Sequence, residues 1–185
     1  MIRKFMCAAL IGTFILAGVA CGKKVETEKP SESVKQTEGQ DSAEETESLS
    51  ENFDFSTEDI DGNKVSFKDL DAKLIMVNFW EPWCGPCIGE MPNLEELYTK
   101  YKDQGFVILG VFSTEGVDED VRTVIEENKI TYPILRADEN LAKYMQDYVP
   151  ATMFVDGSGK VLSETPYIGA KTADAWEEII KSYLK

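Results

Sequence analysis

Along residues 53–185, continuous apolar runs alternate with segments whose apolar residues recur at helical spacing. This alternation predicts strands and helices in turn. Two continuous apolar runs, residues 74–80 and 106–112, are typical of strands that are covered on both faces. Between them, residues 84–102 carry apolar side chains at helical spacing, and Pro92 predicts a kink in that helix. A strand, a helix and a second strand in this order indicate an α/β fold.

The remaining segments add hairpins and further helices to this unit. Apolar residues on both sides of a turn at residues 61–63 predict a small hairpin over residues 53–67. After residue 112 the pattern predicts, in chain order, a helix over 117–128, a short strand over 132–135, a helix over 141–148, a hairpin with strands 152–155 and 161–163, and a last helix from Thr172. We therefore expect one domain, residues 53–185, with a central mixed β-sheet flanked by helices on both faces.

The first 20 residues have the pattern of a secretory signal peptide. Arg3 and Lys4 precede an apolar stretch that ends at Ala20 and is short for a membrane span. The small residues before Cys21 resemble the lipobox of bacterial lipoproteins, in which the cysteine becomes the lipidated first residue of the mature chain, although Gly18 stands where Leu is usual. We predict lipidation at Cys21. Ordinary signal cleavage is the alternative, and it would leave Cys21 as a free thiol.

The segment that follows is polar and almost free of apolar side chains. Residues 22–51 consist mainly of Glu, Ser, Thr, Lys and Gln, which cannot bury enough surface to offset their ordering entropy. We predict a lipidated cysteine and a disordered acidic tether over residues 21–52. A coil of about 30 residues has a root-mean-square reach of roughly 30 Å.

Charge and composition exclude several classes of function. The chain has a formal net charge of −15, which argues against nucleic acid or an anionic lipid surface as a partner. It contains no histidine, which excludes His-based catalytic triads, His metal sites and His proton shuttles. We predict no cofactor and no metal.

The strongest chemical signal is Trp-Cys-Gly-Pro-Cys at residues 83–87, directly after a predicted buried strand. Two cysteines at this spacing form a reversible dithiol/disulfide couple, and a helix N-terminus lowers the pKa of a thiol from about 8.5 toward about 7 or less in such motifs. Cys84 is placed as the exposed attacking thiol, and Cys87 is placed to resolve the mixed disulfide. Removal of Cys7 with the signal and lipidation of Cys21 would leave these two as the only thiols.

Two other interpretations of the cysteine pair are weaker. A zinc site would need two more ligands, and neither further mature thiols nor histidines are present. A purely structural disulfide would close so small a loop that it stabilises the fold by only about 2 kcal/mol.

The motif and its surroundings resemble the thioredoxin superfamily, and more closely its membrane-anchored TlpA/ResA-like thiol–disulfide oxidoreductases. The resemblance rests on residues 77–87, Val-Asn-Phe-Trp-Glu-Pro-Trp-Cys-Gly-Pro-Cys, and on Glu-Met-Pro at residues 90–92. It covers about residues 53–185. It implies a thioredoxin-like fold with an N-terminal β-hairpin and an inserted strand–helix segment.

The resemblance also implies roles for residues outside the motif. Members of this superfamily have a cis-proline that faces the active-site cysteines, and Pro150 matches that position. The Val149 backbone would pair with the extended chain of a partner, and Trp83 would be a half-exposed apolar contact for it. Trp80 is expected in the core.

One residue departs from thioredoxin itself. Cytosolic thioredoxins have a buried aspartate six residues before the first cysteine, where this chain has Asn78. Relatives of the TlpA/ResA type supply an acid from the inserted segment, and Glu115 matches that acid by position. If burial raises its pKa, Glu115 is expected to act as general base for Cys87. The alternative is one more solvated acid among 34.

The resemblance implies a monomeric protein-disulfide reductase on the outer face of the cytoplasmic membrane. Its expected partners are disulfide-bearing envelope proteins, such as apocytochrome c or methionine sulfoxide reductase, and a membrane electron donor of the CcdA/DsbD type. The Gly-Pro dipeptide between the cysteines favours reduction. Two alternatives stay open, namely a disulfide-forming oxidant or isomerase and a non-catalytic binding lipoprotein.

Overall fold

The computed structural model describes residues 52–184, in which two short strands precede an alternation of strands and helices. In chain order the elements are β1 (Ser56–Glu58), β2 (Lys64–Ser66), β3 (Leu74–Phe79), α1 (Gly85–Tyr101), β4 (Phe106–Phe112), α2 (Asp118–Asn128), β5 (Ile134–Arg136), α3 (Glu139–Ala142), β6 (Ala151–Asp156), β7 (Tyr167–Ile168) and α4 (Ala173–Tyr183). Single turns of 3-10 helix occupy Phe67–Asp69 and Lys102–Gln104.

A five-stranded mixed sheet in the order β5-β4-β3-β6-β7 forms the centre of the fold. The β3–β4 and β4–β5 pairs are parallel, and the β3–β6 and β6–β7 pairs are antiparallel. The prediction of a mixed sheet in an α/β fold is thereby confirmed. The register pairs Phe79 with Val111 on one side and with Ala151 on the other. The end of β3, the end of β4 and the start of β6 therefore meet at one edge of the sheet.

The sheet is buried on both faces because side chains along each central strand alternate between two hydrophobic clusters. One cluster contains Met76 of β3 with buried residues of α1, α2 and α4, and the other contains Val77 of β3 with the N-terminal segment and α3. Every residue of β3 is buried, as the continuous apolar run predicts. Helices cover both faces, although α3 on the second face is a single turn.

The small hairpin of β1 and β2 is confirmed, and it protects the edge of the sheet at β5. The Ile60 N–H donates to the Ile134 carbonyl at 3.1 Å, and the Thr57 hydroxyl donates to the Arg136 carbonyl at 2.8 Å. The Arg122 guanidinium of α2 lies 2.7 Å from the Asp61 carboxylate in the hairpin turn. An open sheet edge invites pairing with other chains, and these contacts cover it.

Two predicted elements are wrong in extent. The helix expected over residues 141–148 is only α3, which ends at Ala142; a turn follows at residues 143–144, and Tyr144 and Met145 pack against the cluster that contains Val77. The strand expected over residues 161–163 is a single bridge between Val155 and Val161. The Phe154 N–H there donates to the Ser163 hydroxyl at 3.0 Å, so a side chain takes the place of the backbone carbonyl that a ladder needs.

A glycine substitution provides a first test of this packing. A Cβ on Gly157 would overlap the Ala72 carbonyl oxygen, and the next residue, Lys73, is held by backbone hydrogen bonds to Gly105 and Gly157. We expect Gly157→Ala to lower the free energy of unfolding by about 1–3 kcal/mol, measured by urea denaturation. The control is Gly89→Ala on the exposed side of α1, where a Cβ meets no atom within 4 Å. That change should stabilise the protein by about 0.5–1 kcal/mol, and equal effects of the two would contradict the packing.

Several predicted features lie outside the described residues. They are the signal peptide over residues 1–20, the lipidated Cys21 and all but the last residue of the tether over 21–52. Among residues 52–184, none of the helices has the length and apolar character that crossing a membrane requires.

Candidate active site

Three loops converge where the ends of β3 and β4 meet the start of β6. The β3–α1 loop carries the two cysteines, the β4–α2 loop begins at Ser113, and the segment before β6 ends in Val149 and Pro150. The strand register alone brings these segments together, although they are far apart in the sequence.

Cys84 and Cys87 form a disulfide with an S–S distance of 2.04 Å. Cys84 is the N-cap of α1, and its Sγ accepts a hydrogen bond from the Cys87 backbone N–H at 3.3 Å. The helix start predicted from the motif is therefore confirmed, with Pro86 in the first turn, where its missing N–H costs no hydrogen bond. An N–H donor and the positive end of a helix favour a thiolate at Cys84 once the disulfide is reduced.

The expected difference in exposure between the two cysteines is small. Cys84 is 5% exposed and Cys87 is 1% exposed. Cys84 is thus nearly buried in the disulfide form, whereas the sequence predicted an exposed thiol. A substrate disulfide has to reach Sγ of Cys84 from the groove beside it.

The peptide bond between Val149 and Pro150 is cis, as the resemblance implies. The Val149 carbonyl oxygen lies 3.6 Å from Sγ of Cys84. This places an extended stretch of backbone directly beside the reactive sulfur, where a second extended chain could pair with it.

Two exposed aromatic side chains flank the cysteines. Trp83 is 68% exposed, more than the half-exposure expected, while Trp80 is fully buried as predicted. Tyr148 is 71% exposed and was not predicted, although its place directly before Val149 and the cis-proline is a usable signal. Between them runs a shallow groove, which we call the cysteine groove, lined by Glu81, Trp83, Ser113, Thr114 and residues 145–149.

A buried carboxylate follows Cys87 by one helical turn. Glu90 is 2% exposed, and Asn78 Nδ2 donates to its Oε1 at 3.1 Å. Its Oε2 accepts from Trp176 Nε1 and from the Lys171 backbone N–H, both at 3.1 Å. Burial raises the pKa of Glu90, and these hydrogen bonds together with the charge of Lys171 oppose the rise.

The sequence alone indicated no role for Glu90. The available signal was its position, because residues three apart in a helix share a face and Glu90 follows Cys87 by three. Asn78 is buried beneath the motif, where it joins Glu90 to Thr152 through a second hydrogen bond of 3.0 Å.

Glu115 lies in the loop after β4, and its side chain is exposed. The prediction that it serves as a base required burial, and the structure does not provide it. A role for Glu115 in turnover stays a prediction, and Glu90 is a buried acid that follows Cys87 on α1.

Within residues 52–184, no cluster of three His, Cys, Asp or Glu side chains could hold a metal ion.

Comparison with known proteins gives consistent matches over this domain. The sequence model of the AhpC/TSA family matches residues 50–163. The thiol-disulfide oxidoreductase ResA of Bacillus thuringiensis subsp. konkukian is 33% identical over 129 residues, which are 69% of this chain and 73% of ResA. The thioredoxin-like protein YneN of Bacillus subtilis is 33% identical over 132 residues, which are 68% of this chain and 74% of YneN.

Solved structures agree with the sequence matches. The crystal structure of a thiol:disulfide interchange protein of the thioredoxin family from Chlorobium tepidum TLS has a TM-score of 0.64 to this chain and 26% sequence identity. The match covers 72% of this chain and 95% of that chain.

Proposed function

The chain belongs to the AhpC/TSA family and is a thioredoxin-like thiol–disulfide oxidoreductase, and from this premise we propose that it reduces disulfides of envelope proteins outside the cytoplasm through Cys84 and Cys87. One observation carries the proposal. A Cys84–Cys87 disulfide at the N-terminus of α1 lies beside the cis Val149–Pro150 bond, with an accessible groove next to the first sulfur.

The reaction proceeds by two exchanges of sulfur partners. The Cys84 thiolate attacks one sulfur of the substrate disulfide, a Cys84–substrate disulfide forms, and the other substrate sulfur leaves as a thiolate that takes up a proton. Cys87 then loses its proton and attacks Sγ of Cys84, which releases the second substrate thiol. Two electrons pass to the substrate, and the enzyme ends in the disulfide form described above.

The surroundings of the couple suit each step. The Cys87 N–H and the start of α1 stabilise negative charge on Cys84 during attack and release. We assign the proton of the resolving thiol to Glu90, which is buried one turn beyond Cys87 on α1 and whose pKa is raised by that burial. The Val149 backbone aligns the substrate chain, and Trp83 and Tyr148 offer apolar contacts to it.

A reductase needs a source of electrons and a location where disulfides persist. We assign the location to the outer face of the cytoplasmic membrane, because residues 1–21 carry the signal and lipobox pattern and residues 22–51 the composition of a tether. A membrane carrier of the CcdA/DsbD type would return the Cys84–Cys87 disulfide to the dithiol. Apocytochrome c and methionine sulfoxide reductase are the substrate candidates.

The reduction potential of the couple tests the direction of electron flow. We expect a reduction potential of about −250 mV, because the Gly-Pro dipeptide is shared with reducing thioredoxins, whose potential is about −270 mV. For the measurement, the purified protein is equilibrated with glutathione or dithiothreitol buffers, and its free thiols are quantified. A reduction potential of about −120 mV, which is typical of strong oxidants, would overturn the reductase proposal and favour the disulfide-forming alternative.

A further inference from the structure

Glu81 is a buried carboxylate in the loop that carries the cysteines, and it has no part in the proposed reaction. It is 3% exposed although it lies only three residues before Cys84. Its Oε1 accepts from the Ser113 N–H at 2.9 Å and from the Ser113 hydroxyl at 2.8 Å. The Thr114 N–H lies 3.3 Å from Oε1 and 3.4 Å from Oε2.

These contacts link two different loops. Hydrogen bonds to an ionised acceptor are stronger than neutral ones, and a buried carboxylate is tolerated only where such donors surround it. The main chain of Glu81 is tied to the motif at the same time, because its carbonyl accepts the Cys84 N–H at 3.0 Å. One residue therefore connects the reactive cysteine to the start of the β4–α2 loop.

The connection shapes the cysteine groove. Glu81, Ser113 and Thr114 all line it, and Tyr148 and Val149 line it as well. Ser113 and Thr114 form one wall of the groove, and residues 145–149 contribute to the remainder of its lining. Without the Glu81 carboxylate, the backbone N–H groups of Ser113 and Thr114 would lose the acceptor that holds this wall in place.

We propose that Glu81 is a positioning residue that sets the shape of the cysteine groove for protein substrates. It fixes the Ser113–Thr114 wall relative to Cys84, so that an extended, cysteine-bearing segment of a substrate protein fits between this wall and the Val149 backbone. This inference rests on the proposed function and names the part of the site that selects polypeptides over small disulfides. Glu81 takes no part in the exchange of sulfur partners.

The test compares two disulfides with the prereduced enzyme in single-turnover experiments. Insulin offers polypeptide segments on both sides of its disulfides, which we expect the groove to contact, whereas 2-hydroxyethyl disulfide is neutral and has no polypeptide chain. For Glu81→Ala we expect the half-saturating insulin concentration to rise about 10-fold, which corresponds to about 1.4 kcal/mol. The limiting rate with insulin and the rate with 2-hydroxyethyl disulfide should change less than about 2-fold.

Three further variants sharpen the result. Glu81→Gln keeps one oxygen for the two Ser113 donors and should recover most of the insulin affinity. Ser113→Ala removes the hydroxyl donor and leaves the backbone N–H donors to Glu81 in place. It should raise the half-saturating insulin concentration about 2- to 3-fold. Glu119→Gln changes an exposed acid in the first turn of α2, outside the lining of the cysteine groove, and should leave both substrates unaffected.

The outcomes separate this inference from the proposed function. Equal losses with both disulfides in Glu81→Ala, or no change with either, would overturn the role of Glu81 in the groove. If Glu81→Ala does not fold, Ser113→Ala decides, and a variant with unchanged insulin affinity would overturn it. A wild-type protein that reduces neither disulfide would instead overturn the proposed function, and this inference with it.

Discussion

The Cys84→Ser variant is expected to lose disulfide reductase activity by about 10³-fold or more, because a serine hydroxyl stays protonated at neutral pH and is a far weaker nucleophile than a thiolate. The measurement is insulin reduction with dithiothreitol as the electron source, followed by turbidity. The structure predicts that the variant still folds. The Cys84–Cys87 disulfide closes a loop of only a few residues and stabilises the fold by about 2 kcal/mol.

Cys87→Ser is the matched control, because it keeps the attacking sulfur and removes the resolving one. It should capture a substrate as a stable disulfide at Cys84, which mass spectrometry under non-reducing conditions detects. A Cys84→Ser variant with wild-type turnover would contradict the assigned roles. A wild-type protein without turnover, combined with a Cys87→Ser variant that captures nothing, would favour the binding lipoprotein.

Elements set by short stretches of sequence were predictable here. Residues 74–80 and 106–112 are continuous apolar runs, and they form β3 and β4 nearly to the residue because burial on both faces leaves a strong local signal. The start of α1 was equally clear, since the Cys-Gly-Pro-Cys spacing and the following apolar period agree. The cis bond before Pro150 came from the resemblance alone, as local sequence gives little reason to expect it.

The buried acids were missed because their burial depends on distant residues. Glu90 is held by Trp176, which is 86 positions away, and Glu81 is held by Ser113, which is 32 positions away. No residue near Glu81 distinguishes it from the many solvated acids, and the one local signal for Glu90 is its position three residues after Cys87. Glu115 was chosen by position in a family pattern, and its exposed side chain shows that a place in the chain does not determine burial.

The site therefore contains two buried carboxylates with different surroundings. Glu81 accepts from backbone and hydroxyl donors of a neighbouring loop, which suits a structural role. Glu90 lies among buried groups of the core, next to Asn78, which cannot ionise, and its pKa is raised. A proton acceptor for Cys87 has to change its charge during turnover, and Glu90 is the acid whose environment favours that change.

Glu90→Gln should accordingly slow resolution of the mixed disulfide by about 100-fold at pH 7, because an amide cannot take the Cys87 proton. The measurement is the single-turnover rate of substrate release after formation of the Cys84 mixed disulfide. Below the pKa of Glu90 the acid is protonated and cannot act, so the wild-type rate should rise as the pH passes upward through that value. The variant should lack this rise.

The pH dependence of protein stability gives an independent check. The resolution rate should rise with pH, whereas the contribution of Glu90 to stability should fall. The folded-state pKa of Glu90 is raised above its ordinary value of 4.5, so the folded protein binds a proton that the unfolded chain has lost. The stability gained from this proton is fully present below about pH 4.5 and is lost as the pH rises through the folded-state pKa. Urea unfolding of the wild type should show this fall, and Glu90→Gln should not.

Glu115→Gln is the control for both measurements, since it makes the same chemical change on an exposed side chain near the same edge of the sheet. We expect it to keep the wild-type resolution rate and the wild-type dependence of stability on pH. If Glu115→Gln slows resolution and Glu90→Gln does not, the acid predicted from the sequence pattern is the working base. The raised pKa of Glu90 would then reflect burial without a part in the reaction.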